Sequence, residues 1–213
     1  MGRTNRSSQT RDRIVDAFVQ CVIDLGLDKA SMGEVGARLD LDRSSVHYYF
    51  RTREELIAVA AATVTRSYVE RIQQAVAGFS STDRPRQLVD YLFGTGFHRP
   101  DLSILIDEFS VAGNRDPAIQ ACVAGLYRAV EDSIGVEIDR EFPDAPRPLR
   151  RTVIYALSQL LEGCTVMKSL GFPESRWQAG RTAAQQLLDG LAGTGKLART
   201  RRRPSSKPAS RRQ

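Results

Sequence analysis

The sequence predicts an all-α fold of about nine helices. Apolar residues recur at the i, i+3, i+4, i+7 spacing that marks one face of a helix, and no segment shows the alternation of apolar and polar residues that is typical of a strand. Residues that favour helix ends or helix starts separate these periodic stretches. With 213 residues, of which 41% are hydrophobic, the chain is long enough to bury a core in one large or two small domains.

The first two helices are predicted from an apolar face and a capping pattern. Apolar positions between residues 14 and 25 lie on one face, and Gly26 ends this helix because glycine readily adopts the left-handed conformation of a helix end. Ser31 and Glu34 have the spacing of a capping box, in which a hydroxyl and a carboxylate three residues later hold the first turn. The short helix that follows has an inner face formed by Met32, Val35 and Leu39.

A tight turn, a third short helix and a long helix come next. The turn at residues 40–42 is followed by a helix over residues 43–50, which the Asp42 side chain is expected to cap. A second capping box begins at Thr52 and opens a long helix over about residues 53–78.

Five further helices are predicted between loops that contain Pro, Gly, Asn or Asp. They are expected at about residues 84–97, 101–113, 117–141, 147–170 and 175–192. The resulting organisation has an N-terminal domain, a larger helical domain and a tail, which cover residues 1–52, 53–195 and 196–213.

The net charge of +6 is concentrated at the C-terminus. Residues 1–60 carry nine basic and nine acidic residues, residues 61–195 carry 14 and 16, and residues 196–213 carry eight basic residues and no acidic one. The last segment is rich in Arg, Pro and Ser, so it cannot offset the entropy of its own ordering. We predict that it is disordered and serves either as a solubilising end or as a non-specific nucleic-acid arm.

The composition excludes several classes of protein. Three cysteines without CxxC spacing and only two histidines argue against a disulfide scaffold and a metal site. No nucleophile–base pair, glycine-rich phosphate loop or metal-ligand spacing occurs, so we expect no enzyme activity and no cofactor. Neither a signal peptide nor a membrane-spanning apolar run is recognisable, and a cytoplasmic protein is expected.

The segment up to residue 53 has the layout of a helix-turn-helix, with two short helices and a tight turn after a longer packing helix. Val46 and Phe50 on the third helix are four residues apart and face inward. Small hydroxyl side chains at the start of this helix allow close approach to DNA, and phenols at its end reach phosphates or base edges. The N-terminal end of the next helix is expected to bind a phosphate. The candidate DNA-contacting residues are Ser31, Arg43, Ser44, Ser45, His47, Tyr48, Tyr49, Thr52 and Arg53.

This segment resembles the TetR family of bacterial transcriptional regulators. The resemblance runs through TRDRI at residues 10–14 and through SMGEVGARLDLDRSSVHYYFRTREELI at residues 31–57. It implies a three-helix DNA-binding domain at the N-terminus and a helical ligand-binding and dimerisation domain in the remainder of the chain.

Four residues depart from the family pattern. Asp40 replaces the usual turn glycine, and aspartate adopts the left-handed conformation at a higher cost. Gly36 stands where a small alanine is typical, which keeps close helix packing but lowers helix propensity. His47 stands where a phosphate-contacting tyrosine is frequent, and its titration would make binding pH-dependent. Arg53 replaces lysine and keeps the expected phosphate contact.

The resemblance implies an effector cavity, which we expect among the helices from about residue 84 to 170, lined mostly by apolar groups. For each aromatic residue taken alone, ordinary core packing is the simpler role. Glu162 on an otherwise apolar helix is either a contact to a cationic ligand or a carboxylate at the rim. The candidate ligand-binding residues are Phe93, Phe97, Phe109, Tyr127, Tyr155 and Glu162.

The last two predicted helices are the candidate dimer interface. The helix over residues 147–170 is apolar on more than one face, so it needs a core on one side and a partner on the other. The helix over residues 175–192 carries a stripe of small residues followed by leucines: Gly180, Ala183, Ala184, Leu187, Leu188 and Leu191. The resemblance implies a four-helix interface between two copies, and a purely intramolecular core is the alternative.

These observations predict a homodimeric, sequence-specific DNA-binding regulator with a palindromic operator, and the resemblance favours a repressor released by a small, largely apolar effector. The long helix over residues 53–78 is expected to be the only direct connection that transmits movement from the effector region to the DNA-binding head, which comprises residues 1–52. The alternative function is a ligand-binding helical protein that contacts nucleic acid only non-specifically, through its basic tail.

Overall fold

The computed structural model describes the backbone of residues 2–94 and 100–202 and the side chains of residues 7–94 and 101–194. Over these residues it has nine helices and no strand, which confirms the predicted fold class. None of the described helices is both long and apolar enough to cross a membrane. The helices are α1 (Gly2–Leu25), α2 (Met32–Leu39), α3 (Arg43–Tyr49), α4 (Arg53–Ala77), α5 (Arg84–Leu92), α6 (Pro100–Gly113), α7 (Pro117–Glu141), α8 (Arg147–Ser169) and α9 (Glu174–Arg202).

The N-terminal helices begin and end at the residues that the sequence indicates. Gly26 follows α1 with a φ of +81°, a conformation that glycine adopts without a steric penalty. The Ser31 hydroxyl accepts a hydrogen bond from the Glu34 N–H at 3.2 Å. The Thr52 hydroxyl accepts one from the Glu55 N–H at 3.1 Å. Both predicted hydroxyl caps are therefore confirmed.

Two predicted helix ends are wrong. α5 ends at Leu92, before the predicted end near residue 97. α9 continues past residue 192 to Arg202, so the segment 196–213, which the sequence predicts to be disordered, begins with a helical stretch. Lys, Leu, Ala and Arg in that stretch have high helix propensities and outweigh the glycines just before it. Residues 203–213 lie outside the described part of the chain.

The chain divides into two compact units. The first comprises the described residues of Met1–Gly78 and Gly94–Val130, and the second comprises those of Phe79–Phe93 and Glu131–Gln213. This division does not follow the predicted boundary between residues 52 and 53. The reason is that α4, α6 and the first part of α7 pack with the three N-terminal helices instead of forming a separate core.

The core of the first unit joins helices that are far apart in sequence. Ile14 and Phe18 of α1 are fully buried, and α6 and α7 contribute Phe109 and Ile119 to the same apolar cluster. Burial stabilises each such side chain by roughly 1.5–3 kcal/mol. α6 packs directly on α1 as well as on α4. The prediction that α4 is the only direct connection for transmitting movement to the head is therefore wrong.

Polar contacts hold together the helices of the second unit. Glu137 of α7 is only 1% exposed, and its two carboxylate oxygens accept hydrogen bonds from Arg84 at the start of α5, at 2.7 and 3.2 Å. At the other end of α5, the Phe93 carbonyl accepts a hydrogen bond from the Trp177 indole N–H at 2.7 Å. These contacts anchor both ends of α5, one to α7 and the other to α9.

Candidate nucleic-acid interface and effector region

The turn between α2 and α3 combines a left-handed residue with a close backbone contact. Asp40 ends α2 with φ 55° and ψ 45°, the conformation expected of a residue that replaces the turn glycine. Leu41 then donates its N–H to the Gly36 carbonyl at 2.9 Å. A Cβ atom on Gly36 would lie 2.6 Å from the Leu41 oxygen, which is closer than Cβ atoms approach other atoms in proteins. The turn therefore sets α3 against α2 with no room for a side chain at residue 36.

α3 has one face in the core and one face in solvent. Val46 and Phe50 are both 0% exposed, as the sequence predicts. On the opposite side Tyr48 is 81% exposed, and the Tyr49 ring packs at 90° to it with 5.2 Å between ring centroids. Three other candidate contacts on α3 are exposed, namely Arg43, Ser44 and His47, and a fourth, Ser45, is half-buried. The buried inner face thus holds the outer face in a defined orientation.

The first turn of α3 differs from its predicted capping. Asp42 occupies the N-cap position, but its side chain makes no capping hydrogen bond, so the predicted Asp42 cap is wrong. One turn along the exposed face, the Arg43 Nε donates to the His47 Nε2 at 3.4 Å. This hydrogen bond requires an unprotonated Nε2 on His47. The contact joins Arg43 and His47 along the exposed face of α3.

The start of α4 forms a compact capped turn. The Glu55 carboxylate accepts a hydrogen bond from the Arg51 N–H at 3.0 Å, while the Thr52 hydroxyl caps the Glu55 N–H. The carboxylate reaches the residue before the N-cap, so this arrangement is a capping box displaced by one residue. The positive end of the α4 dipole lies at this turn and favours an anion.

The Arg53 side chain is directed toward the protein and is half-buried. Its Nε donates to the Ala30 carbonyl at 2.8 Å, and its Nη2 donates to the Leu27 carbonyl. These two hydrogen bonds tie the start of α4 to the connection between α1 and α2. The predicted phosphate contact of Arg53 therefore competes with two intramolecular bonds, and the geometry favours a positioning role.

α1 also contacts the end of α3. The Arg11 guanidinium carbon lies 4.5 Å from the centroid of the Phe50 ring, within the range of a cation–π interaction. This contact places an early turn of α1 beside the C-terminal end of the exposed helix.

Comparison with known proteins shows a family match at the N-terminus and a shared fold. The fold is that of a TetR transcription regulator from Haloarcula marismortui, with a TM-score of 0.72 and 18% identity over 86% of this chain and 98% of that chain. A family model described as bacterial regulatory proteins, tetR family, matches residues 14–60. Residues 14–60 therefore match the tetR family of bacterial regulatory proteins, and the chain has the fold of a TetR regulator.

The chain is also similar to two named regulators over most of its length. It is 24% identical to the HTH-type nicotine-responsive transcriptional repressor HdnoR of Paenarthrobacter nicotinovorans, over 73% of this chain and 81% of the relative. It is 18% identical to the HTH-type transcriptional regulator BetI of Cronobacter sakazakii, over 84% of this chain and 88% of the relative.

The predicted ligand-binding residues are divided between the two units. Phe109 and Tyr127 belong to the first unit, where Phe109 is 1% exposed in the core shared with α1. Tyr155 is 60% exposed on α8 and lines an open cleft of the second unit together with Arg147 and Arg151, so its role in ligand binding stays a prediction. Phe97 lies outside the described residues. The second unit holds the candidates Phe93, Tyr155 and Glu162.

Each unit has a cavity or cleft that the sequence analysis does not single out. The first unit has a cavity of about 220 Å³ between α6 and α7, which Tyr127 helps to line. The second unit has a mainly apolar cleft of about 500 Å³ between α8 and the start of α9, lined among others by Leu160, Cys164, Met167, Phe172 and Trp177. None of the predicted ligand residues with a described side chain lines this apolar cleft between α8 and α9. Two aromatic residues, Phe172 in the α8–α9 turn and Trp177 in the first turn of α9, are the sequence feature that could have indicated it.

Burial affects the one thiol in the apolar cleft between α8 and α9. Desolvation raises the pKa of the Cys164 thiol above its usual value. A raised pKa keeps the thiol neutral and unreactive at neutral pH. The raised pKa agrees with the expectation that Cys164 is a small packing residue and not a redox-active thiol.

Most of the predicted dimer stripe on α9 faces the interior of the protomer. Gly180 is buried so close to α8 that an added Cβ would lie 2.2 Å from the Cys164 Sγ. Three further stripe residues are at most 1% exposed: Ala184, Leu188 and Leu191. The prediction that these four residues face a partner is wrong, because they form the core of the second unit. A second row of small or polar residues faces outward, with Ala183 half-buried and the others exposed: Ala179, Gln186, Gly190 and Gly193.

Proposed function

We propose that this chain is a homodimeric transcription repressor of the TetR family that binds a palindromic operator through α3 and releases it when a small, largely apolar effector binds. The observation that carries the proposal is the outer face of α3, where Tyr48 is 81% exposed while Val46 and Phe50 are fully buried behind it. A firmly seated helix with an exposed polar and aromatic face suits the major groove of DNA. The names of both relatives describe transcriptional regulators, and one name describes a nicotine-responsive repressor.

The outer face of α3 supplies the groove contacts. Arg43 donates to a guanine edge or to a phosphate, and Ser44 and Ser45 are small enough to bring the helix backbone close to the bases. The phenols of Tyr48 and Tyr49 extend from the C-terminal end of α3 to the phosphate backbone. Their edge-to-face packing restricts both rings and lowers the entropy lost on binding.

The flanking helix starts supply phosphate contacts. Ser31 and Thr52 hold the first turns of α2 and α4, and the N-terminal ends of these helices favour phosphates. The exposed His47 imidazole also contacts a phosphate. Arg53 contributes indirectly, because its bonds to the α1–α2 connection fix the start of α4.

The dimer needed for a palindrome uses the outward faces of α8 and α9. Half-sites one helical turn apart place the two α3 helices about 34–36 Å from each other. The outward row of α9 includes Ala179, Gly190 and Gly193, which allow close approach of a partner helix, and α8 exposes Tyr155 and Met167. Exposed apolar side chains on a protomer that already has a packed core support the choice of this surface as the dimer interface.

The effector acts on the head through α6 as well as α4. Phe109 of α6 is packed in the same core as Ile14 of α1, so a shift of α6 displaces α1 and the helices that rest on it. The cavity beside Tyr127 lies at this helix. Phe93, Phe97 and Glu162 remain predicted ligand contacts.

Selection of DNA duplexes from a random-sequence library, followed by footprinting and sedimentation analysis, tests this function. We expect an inverted repeat, a dimeric complex and release of the duplex by at least one member of a library of small apolar compounds. The coupling between the two affinities must be reciprocal. An effector that weakens DNA binding by a given factor binds less tightly to the DNA complex by the same factor. Recovery of no preferred sequence would refute the DNA-binding function, and insensitivity to every compound would refute the effector.

A tail variant separates this function from its alternative. The variant lacks residues 203–213 and has glutamine in place of the four basic residues at 196, 199, 201 and 202, so it loses all eight tail charges. Retention of the same selected sequence supports recognition by α3. Complete loss of sequence-specific binding would instead favour nucleic-acid contact through the tail.

A further inference from the structure

The cleft between α8 and the start of α9 has the size and lining of a small-molecule site. Its volume of about 500 Å³ is within the range of ligand sites in proteins, and all of its lining residues belong to the second unit. Leu160, Cys164 and Met167 form its wall on α8. Methionine is flexible and adapts to irregular apolar surfaces, so this wall suits the apolar part of a ligand.

The wall on α9 is formed by a tryptophan that the protein holds in place. Trp177 is 5% exposed, and its indole N–H donates to the Phe93 carbonyl at 2.7 Å. The two rings also pack with 5.5 Å between their centroids. Because the N–H is already bonded, Trp177 offers the cleft an apolar ring surface, and a fixed ring loses little entropy when a ligand binds.

The rim of the cleft has two cations and one carboxylate. The Lys168 Nζ lies 4.6 Å from the centroid of the Trp177 ring and 3.4 Å from the Glu174 Oε2. The Arg176 guanidinium carbon lies 4.4 Å from the centroid of the Phe172 ring, and Arg176 makes no ion pair with any side chain that the structure describes. The rim is therefore net positive, and the positive end of the α9 dipole lies at the same place. This arrangement favours an anionic group.

A second copy of the chain is the competing occupant of the cleft. Met167 lines the cleft and also belongs to the exposed part of α8 that we propose for the dimer. However, the outward row of α9 contains only alanine, glutamine and glycine, and none of these side chains is a large apolar group that could fill the cleft. An apolar partner surface would also leave the charge of the rim unmatched. A separate molecule with an anionic group is the better fit.

We propose that this cleft binds an apolar molecule that carries one carboxylate, such as a medium-chain alkanoate, with the carboxylate held by Lys168 and Arg176. The apolar part lies along the α8 wall and the Trp177 ring, and the carboxylate accepts charge-assisted hydrogen bonds at the rim. The site is separate from the cavity beside Tyr127, and it goes beyond the proposed function because it does not require DNA binding.

Fluorescence of the full chain tests the proposal directly. Trp177 is the only tryptophan in the sequence, so its emission reports on the cleft without a label. The titrants are alkanoates of six to twelve carbons at neutral pH, kept below the concentrations at which they form micelles. Each added methylene should tighten binding about fourfold until the cleft is full. Decanoate should bind about tenfold or more tightly than decanol or decyltrimethylammonium, which have the same alkyl chain without the negative charge.

Charge variants test the role of the rim. Lys168→Gln with Arg176→Gln should reduce the affinity for decanoate to that for decanol and leave the affinity for decanol unchanged. The matched control, Arg147→Gln with Arg151→Gln, removes two exposed charges elsewhere on α8 and should bind decanoate like the unmodified chain. Glu174→Gln removes the internal competitor for Lys168, so it should tighten decanoate binding by up to about fivefold.

A change in size tests the location. Gly163 lines the cleft, and a Cβ added there meets no atom within 4 Å. Gly163→Leu therefore occupies the cleft without a clash and raises the helix propensity of α8. It should weaken the binding of both decanoate and decanol by about tenfold or more, whereas Gly163→Ala, which adds a single methyl group, should have a much smaller effect.

The outcomes separate a ligand site from the alternatives. The absence of a saturable fluorescence change with any alkanoate overturns the proposal, as does equal affinity for decanoate and decyltrimethylammonium. Unchanged decanoate affinity in the double glutamine variant, or weaker affinity in Glu174→Gln, also overturns it. If Trp177 emission instead changes with dimer formation in parallel sedimentation measurements and decanoate does not bind, the cleft belongs to a second copy and the proposal is wrong.

Discussion

Replacement of Gly36 by alanine tests the close approach that sets the helix-turn-helix. The new Cβ would lie 2.6 Å from the Leu41 carbonyl oxygen, a backbone atom that moves only if the turn moves. Overpacking of this kind destabilises by about 1–3 kcal/mol, while alanine recovers about 1 kcal/mol through its higher helix propensity. We therefore expect a net loss of up to about 2 kcal/mol in the free energy of unfolding, together with weaker operator binding because α3 shifts against α2.

The same substitution at Gly33, on the same helix, is the control. A Cβ there meets its nearest neighbour, the Ser31 hydroxyl, at 3.7 Å, which is an ordinary contact. Gly33→Ala should therefore stabilise the protein by up to about 1 kcal/mol and leave operator affinity unchanged. Urea denaturation at one fixed protein concentration measures both variants, since the stability of a dimer depends on concentration.

The double variant Gly36→Ala with Asp40→Gly tests the physical cause. Glycine tolerates the φ of 55° at residue 40 better than aspartate does, and it lets the turn move away from the new methyl group. The double variant should be more stable than the sum of the two single effects, with a coupling of about 0.5 kcal/mol or more. A Gly36→Ala protein as stable as Gly33→Ala, or strict additivity in the double variant, would refute the clash.

Three further predictions concern single side chains. Tyr48→Ala should weaken operator binding by roughly tenfold while the free energy of unfolding changes by less than about 0.5 kcal/mol, because the side chain is 81% exposed; equal operator affinity in a gel-shift assay would contradict the contact. Arg53→Gln should lower stability by about 1–3 kcal/mol, because two carbonyls of the α1–α2 connection lose their donor; weaker DNA binding at unchanged stability would instead indicate a direct phosphate contact. Glu137→Ala should lower stability by roughly 3 kcal/mol, because it leaves Arg84 without its buried carboxylate partner, whereas Glu141→Ala at the exposed end of the same helix should change it little when both are measured by urea denaturation.

Features set by near neighbours could be predicted from the sequence. The hydroxyl caps at Ser31 and Thr52, the end of α1 at Gly26 and the left-handed Asp40 each depend on residues within one helical turn. Amphipathic periodicity likewise identified Val46 as an inward position. Helix formation and capping are local, so the fold class and the layout of the head followed from the sequence pattern alone.

Features that depend on distant contacts could not be predicted in this way. α9 has two rows of small residues, and only the approach of Gly180 to Cys164 decided which row faces inward. The arginine at 53 is long enough to reach either solvent or the carbonyls 23 and 26 residues earlier in the chain, and the packing of α4 against α1 decided between them.

The sequence by itself therefore determined an all-α chain with a helix-turn-helix of the TetR type. The tertiary structure decided that α6 shares the core of the head through Phe109. It also decided which helix faces remain outward and that the Arg53 side chain is engaged inside the protein. The physical reason is that a periodic pattern defines apolar faces within one helix, whereas the choice of neighbour for each face depends on the packing of all the helices together.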